Sequence, residues 1–75
     1  MYTPRPEDLT KIANAFTYHA PKGDQQQRYE AIRAMARSFA ELLVHNCPPS
    51  RELSLAITNL EQACFWANAS IARTE

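Results

Sequence analysis

Residues 50–73, SRELSLAITNLEQACFWANASIAR, carry the clearest periodicity in the chain. Leu53, Ile57, Leu60, Cys64, Ala67 and Ile71 recur at spacings of four, three, four, three and four, one apolar stripe along a helix. Ser50 is placed to act as the N-cap and Glu52 falls in the first turn. Upstream, Asn46-Cys47-Pro48-Pro49 must end any preceding helix, because a residue before proline avoids the helical region. Before that break, Ile32, Met35, Phe39 and Leu42 are spaced three, four and three. Tyr29 extends this second seam toward the N-terminus and Leu43 widens it. Two helices of about 21 residues joined by a short proline turn must lie antiparallel with their seams together.

The remaining N-terminal segment is short. Pro6 suits a helix start, with Glu7 and Asp8 in its first turn, and Leu9, Ile12, Ala13 and Phe16 form a small apolar face. A helix over 6–15 is expected, held by docking because so short a helix is marginal alone. The predicted architecture is one all-α domain over residues 1–75. A short N-terminal helix within 1–16 precedes an antiparallel helical hairpin over 24–46 and 50–73, the whole assembling as a homo-oligomer.

The assembly follows from surface that one chain cannot cover. Ala63-Cys64-Phe65-Trp66-Ala67 is apolar on every side of its helix, and Phe65 and Trp66 flank the seam on opposite sides. Ala56, Ala63 and Ser70 give Trp66 small neighbours that permit close approach by another subunit. Docking of the first helix over one of the two aromatics is the monomeric alternative. A chain of 75 residues buries only roughly 60% of its unfolded surface, so its core is marginal without a partner, staple or metal.

Between the first two helices lies Tyr18 to Arg33, YHAPKGDQQQRYEAIR. Tyr18, His19 and Lys22 offer two flat rings and a cation, and Gly23 permits the following turn. Asp24 is the expected N-cap of the second helix, with Gln27 completing a capping box. Free N–H groups at a helix start attract anions, and flat rings suit a nucleobase. The antiparallel hairpin brings the C-terminal end of the third helix alongside, so Lys22, Gln26, Arg28 and Arg33 gather near Asn68 and Arg73. Together they supply cations for phosphate, amides for base edges and rings for stacking.

Composition excludes other classes. Eight basic residues balance eight acidic ones, and zero net charge argues against general DNA or RNA binding. His45 and Cys47 are two apart with His19 and Cys64 remote, which is not the spacing of a zinc site. Glu30, Glu41, Glu52 and Glu61 are spread along helices as solvated positions or partners of arginines, and no hydrolase or Walker motif occurs. No enzyme activity, metal or cofactor is expected. The N-terminus MYTPRPEDLT has no apolar core and no run reaches the length of a membrane span, so no membrane association is expected and the two cysteines are read as free thiols of an intracellular protein.

The F-x-Y-H-x-P…Q…R-Y-x-x-I-R pattern, followed by PPSRELSLAITNLEQACFWANASIAR with its late W-A-N, resembles the hairpin domain of phage nucleotide sponges. These anti-CBASS and anti-Thoeris proteins sequester cyclic oligonucleotide and cyclic ADP-ribose-type immune signals in the host bacterial cytoplasm. The resemblance covers roughly Phe16 to Arg73. It implies an all-helical homo-oligomer, commonly a hexamer, that holds cyclic dinucleotides such as cyclic GMP–AMP intact between protomers. Some members have separate pockets for cyclic trinucleotides. By motif match Tyr18 is the stacking ring, Lys22 a phosphate or base contact, Arg28, Arg33 and Arg73 phosphate ligands and Asn68 a polar contact. A sponge for cyclic ADP-ribose-type Thoeris signals and a small helical protein-binding adaptor are the alternatives.

Overall fold

The computed structural model describes residues 1–75 and consists of three helices: α1 (Pro6–Ala15), α2 (Gln25–Asn46) and α3 (Arg51–Thr74). Pro6 opens α1 at its first position, where a missing N–H costs nothing, and Glu7 and Asp8 occupy the first turn. Arg5 closes over this end, its Nε and Nη2 donating to the Asp8 carboxylate at 2.8 and 2.9 Å. α2 ends at Asn46, one residue before Cys47 turns extended ahead of the prolines.

Ser50 caps α3 as its position suggests, the Oγ accepting from the Leu53 N–H at 3.1 Å. Ser50→Ala is expected to lower stability by about 1 kcal/mol, read from urea unfolding. An unchanged midpoint would mean that solvent serves this helix end equally well.

α2 and α3 pack antiparallel along their lengths, which is the expected hairpin. On α3 the stripe Leu53, Ile57, Leu60, Cys64, Ala67 and Ile71 is half-buried throughout. On α2 the expected seam meets α3 only in part: Tyr29, Ile32 and Leu43 do so, while Met35, Phe39 and Leu42 do not. The half-buried positions are Tyr29, Ile32, Ala36, Ala40 and Leu43, whereas Met35, Phe39 and Leu42 are 73, 53 and 59% exposed. The small side chains of Ala36 and Ala40 let the two helices approach, and that closeness selects their face over the bulkier neighbouring one.

α1 departs from expectation as well. It meets the hairpin only at its C-terminal end, and its Leu9, Ile12 and Phe16 stay exposed. The molecule is accordingly a flat sheet of helices, 49 × 39 × 13 Å, with a radius of gyration of 16.7 Å. A compact chain of this length would measure about 11 Å. No hydrophobic residue is fully buried, and Phe65 and Trp66 each remain 66% exposed. α1 therefore covers neither aromatic, and the monomeric solution drawn from the sequence does not occur in this chain.

Candidate functional site

The open end of the hairpin joins three segments: the C-terminus of α1 with its loop, the start of α2, and the end of α3. Phe16 ends α1, and Thr17 Oγ1 donates back to the Ala13 carbonyl. His19 Nε2 donates to the Asn14 carbonyl at 2.9 Å, which fixes the proton on that nitrogen and ties the loop to the helix. Asn14 Nδ2 in turn donates to the Arg73 carbonyl at 3.1 Å, hooking α1 to α3. Gly23 at φ 57° turns the chain into α2, a left-handed conformation that disfavours any side chain.

The capping box expected at Asp24 and Gln27 does not form. Asp24 sits at φ −90°, ψ 10° and its side chain caps no backbone N–H of α2. Its Oδ1 instead accepts from Arg28 Nε at 3.2 Å. Gln25 reaches backward, its Oε1 accepting from the Lys22 N–H at 3.1 Å. Gln25 is 4% exposed, the one residue of the chain so deeply buried. Its Nε2 donates to Glu75 Oε1 at 3.0 Å.

Glu75 gathers the rest of this corner. Arg28 grips its carboxylate with both terminal nitrogens, Nη1 to Oε2 at 2.7 Å and Nη2 to Oε1 at 2.5 Å. Lys22 Nζ donates to the Glu75 carbonyl at 3.0 Å. The Arg28 guanidinium, with the Gln25 amide second, holds the Glu75 carboxyl down from 4.5 to about 2, and the same bonds raise Arg28 further above its ordinary value. A depressed carboxyl favours the folded state above its ordinary value and loses that effect as pH falls through the depressed one. The pair is thus complete at neutral pH and comes apart only on acidification from about 4.5 toward 2.

Beside this corner two clefts of about 360 and 410 Å³ adjoin, sharing Tyr18, His19, Ala72 and Arg73. The first continues to Tyr29 and Asn68, the second to Lys22, Gln25 and Glu75. Tyr18 stands 84% exposed at their common edge, a ring with one face free. Neither Arg73 nor Lys22 is in an ion pair. Asn68 Oδ1 is buried without a hydrogen-bond partner, and its Nδ2 reaches only Cys64 Sγ at 3.9 Å. A buried acceptor with no donor is costly, and a ligand N–H would relieve it.

Of the residues singled out in the sequence, Tyr18, His19, Lys22, Asn68 and Arg73 line these clefts, and Arg28 lies behind them, held by Glu75. Gln26 and Arg33 do not line them: Gln26 Nε2 donates to Glu30 Oε1 at 3.3 Å along the outer side of α2, and Arg33 is exposed there. Three participants escaped the sequence reading. Tyr29, read mainly as a core residue, is a wall of the first cleft; Gln25 and Glu75 organise the second. Glu75 was foreseeable, because antiparallel pairing sets the end of α3 opposite Arg28.

A lined cleft with a free ring, two unpaired cations and an unsatisfied amide oxygen suits a small anion that carries bases. The largest apolar groove, about 540 Å³ between Ile32, Met35, Phe39, Leu42, Leu60 and Ala63, lies elsewhere, on a face of the hairpin. No helix is long and apolar enough to cross a membrane. A family model described as Acb2/Tad1, hairpin domain, matches residues 8–72. Neither curated proteins nor solved structures yield a match.

Proposed function

Since the chain belongs to the Acb2/Tad1 hairpin family of phage anti-CBASS and anti-Thoeris cyclic nucleotide sponges, we propose that it sequesters an intact cyclic dinucleotide such as cyclic GMP–AMP at the open end of the hairpin. Proteins of this family act as binding sponges and not as enzymes. The observation that carries the proposal is the pair of adjoining clefts, with Tyr18 and Arg73 lining both, Asn68 lining the first and Lys22 the second. The Tyr18 ring stacks on a base, Lys22 and Arg73 meet phosphate, and Asn68 Oδ1 accepts from a base N–H. The one carboxylate in the cleft, Glu75, is held down to about 2 by Arg28 in the unliganded chain.

The working unit on this reading is a homo-oligomer, with a hexamer the expectation. A 75-residue chain without a single buried hydrophobic side chain lacks the core to stand alone. The projecting α1, with Leu9, Ile12 and Phe16 uncovered, is an arm suited to an apolar groove on a second copy. Gln26 and Arg33 gain a role only where a neighbouring protomer brings its own cleft to the outer side of α2. Such a protein works in the infected bacterial cell, where the signals it removes would otherwise switch on defence effectors.

Calorimetric titration with cyclic GMP–AMP, followed by recovery of the ligand after heating, tests the proposal. Tight binding with unaltered ligand recovered is expected. Linear product would mean hydrolysis. Absence of heat would move the search to cyclic trinucleotides and cyclic ADP-ribose isomers. Silence with those too would favour the adaptor reading, in which the exposed Phe39, Phe65 and Trp66 dock a partner protein.

A further inference from the structure

We propose that the Glu75 carboxylate is a built-in occupant of an anion seat formed by Arg28 and Gln25, which a phosphate of the ligand takes over on binding. The inference rests on the reading that this end of the hairpin receives a phosphate-bearing ligand, and it adds an internal competitor to that site. Arg28 presents a planar fork to Glu75 through Nη1 and Nη2 at 2.7 and 2.5 Å, the geometry that also accepts two oxygens of a phosphate. Gln25 is 4% exposed and held by the Lys22 N–H, so its Nε2 points at the seat whether or not Glu75 fills it. Glu75 follows the last residue of α3, and its side chain is 40% exposed. Every hydrogen bond of that carboxylate runs to Arg28 or Gln25, so nothing outside the seat retains it.

The seat also borders the ligand cleft, since Lys22, Gln25 and Glu75 line it together with Tyr18 and Arg73. With Glu75 in place, Glu75 and Asp24 both face Arg28, and Lys22 and Arg73 are left without a side-chain ion pair. Swinging Glu75 out frees the Nη1 and Nη2 edge of Arg28 at the moment a phosphate arrives, while Asp24 stays on Nε. The exchange replaces one charge-assisted pair with another, so the cationic fork is never left bare. It also selects: a neutral or purely aromatic ligand cannot displace a carboxylate from arginine. A phosphate tethered between Tyr18 and Arg73 can.

The test follows the Arg28 Nε–H and the Glu75 side-chain carboxyl carbon by NMR in the full chain, during separate titrations with cyclic GMP–AMP and with inorganic phosphate. The expected result is that Glu75 shifts to the position of a free carboxylate while Arg28 remains hydrogen-bonded. Alongside, Glu75→Gln should bind cyclic GMP–AMP roughly fivefold more tightly, the scale of a partly exposed ion pair. Binding with the Glu75 signal unmoved would overturn the seat while leaving the sponge intact. Weaker binding by Glu75→Gln would likewise overturn it, making Glu75 a latch that shapes the cleft. If inorganic phosphate displaces Glu75 and cyclic GMP–AMP does not bind at all, the seat stands and the cyclic dinucleotide reading fails.

Discussion

Phe39→Ala is expected to cost about 3–5 kcal/mol per protomer and to dissociate the assembly, the penalty of truncating an enclosed aromatic ring. In the single chain the same ring is 53% exposed, beside Met35 and Leu42 at the wall of the 540 Å³ groove. A substitution at so open a position would ordinarily change stability by about 0.5 kcal/mol or less. The gap between those magnitudes makes the variant informative. If a second copy covers the Met35–Phe39–Leu42 face, unfolding and dissociation are one event, and the urea midpoint of the wild-type chain rises with protein concentration. Sedimentation equilibrium and unfolding at two concentrations, for wild type and variant, read both effects. A Phe39→Ala protein with unchanged mass and an unchanged, concentration-independent midpoint would sink the covered-face argument. Phe65→Ala, on the other flank of α3 and 66% exposed, provides an independent repeat.

The same face shows where a sequence alone stops. Periodicity in residues 50–73 pointed to the correct stripe of α3, because Leu53, Ile57, Leu60, Cys64 and Ile71 form that helix's one continuous apolar line. On α2 the large residues Ile32, Met35, Phe39 and Leu42 make the loudest signal, yet of these only Ile32 is half-buried, in a line completed by Tyr29, Ala36, Ala40 and Leu43. Side-chain size announces an apolar face without saying which partner takes it. α1 follows the same logic: its apolar face was legible, but the partner inferred for it within its own chain is absent. Around the clefts, loop chemistry and antiparallel pairing brought Tyr18, His19, Lys22, Asn68 and Arg73 into view. Gln25 was hidden because a capping box offered a simpler use for the start of α2, whereas Glu75 follows from the same antiparallel pairing. Arg28, by taking Asp24 as well as Glu75, removes that option.

Tyr18→Ala should weaken cyclic GMP–AMP binding by roughly 5- to 150-fold while leaving the fold unchanged, since stacking on an aromatic ring contributes about 1–3 kcal/mol per base. The ring is 84% exposed, so it contributes little to the protein's own packing. That separation of effects distinguishes Tyr18 from Phe39, for which a loss of stability is expected. It predicts a normal urea midpoint and oligomer mass beside a collapsed affinity. Tyr18→Phe should bind nearly as wild type, because the stacking face survives and the hydroxyl makes no hydrogen bond within the chain. Lys22→Ala, which removes an unpaired ammonium from the same cleft, should lose affinity and also flatten its salt dependence, a signature of phosphate contact that ring removal does not share. Wild-type affinity in both Tyr18→Ala and Lys22→Ala would move the ligand away from the open end of the hairpin, to the side of α2 that carries Gln26 and Arg33.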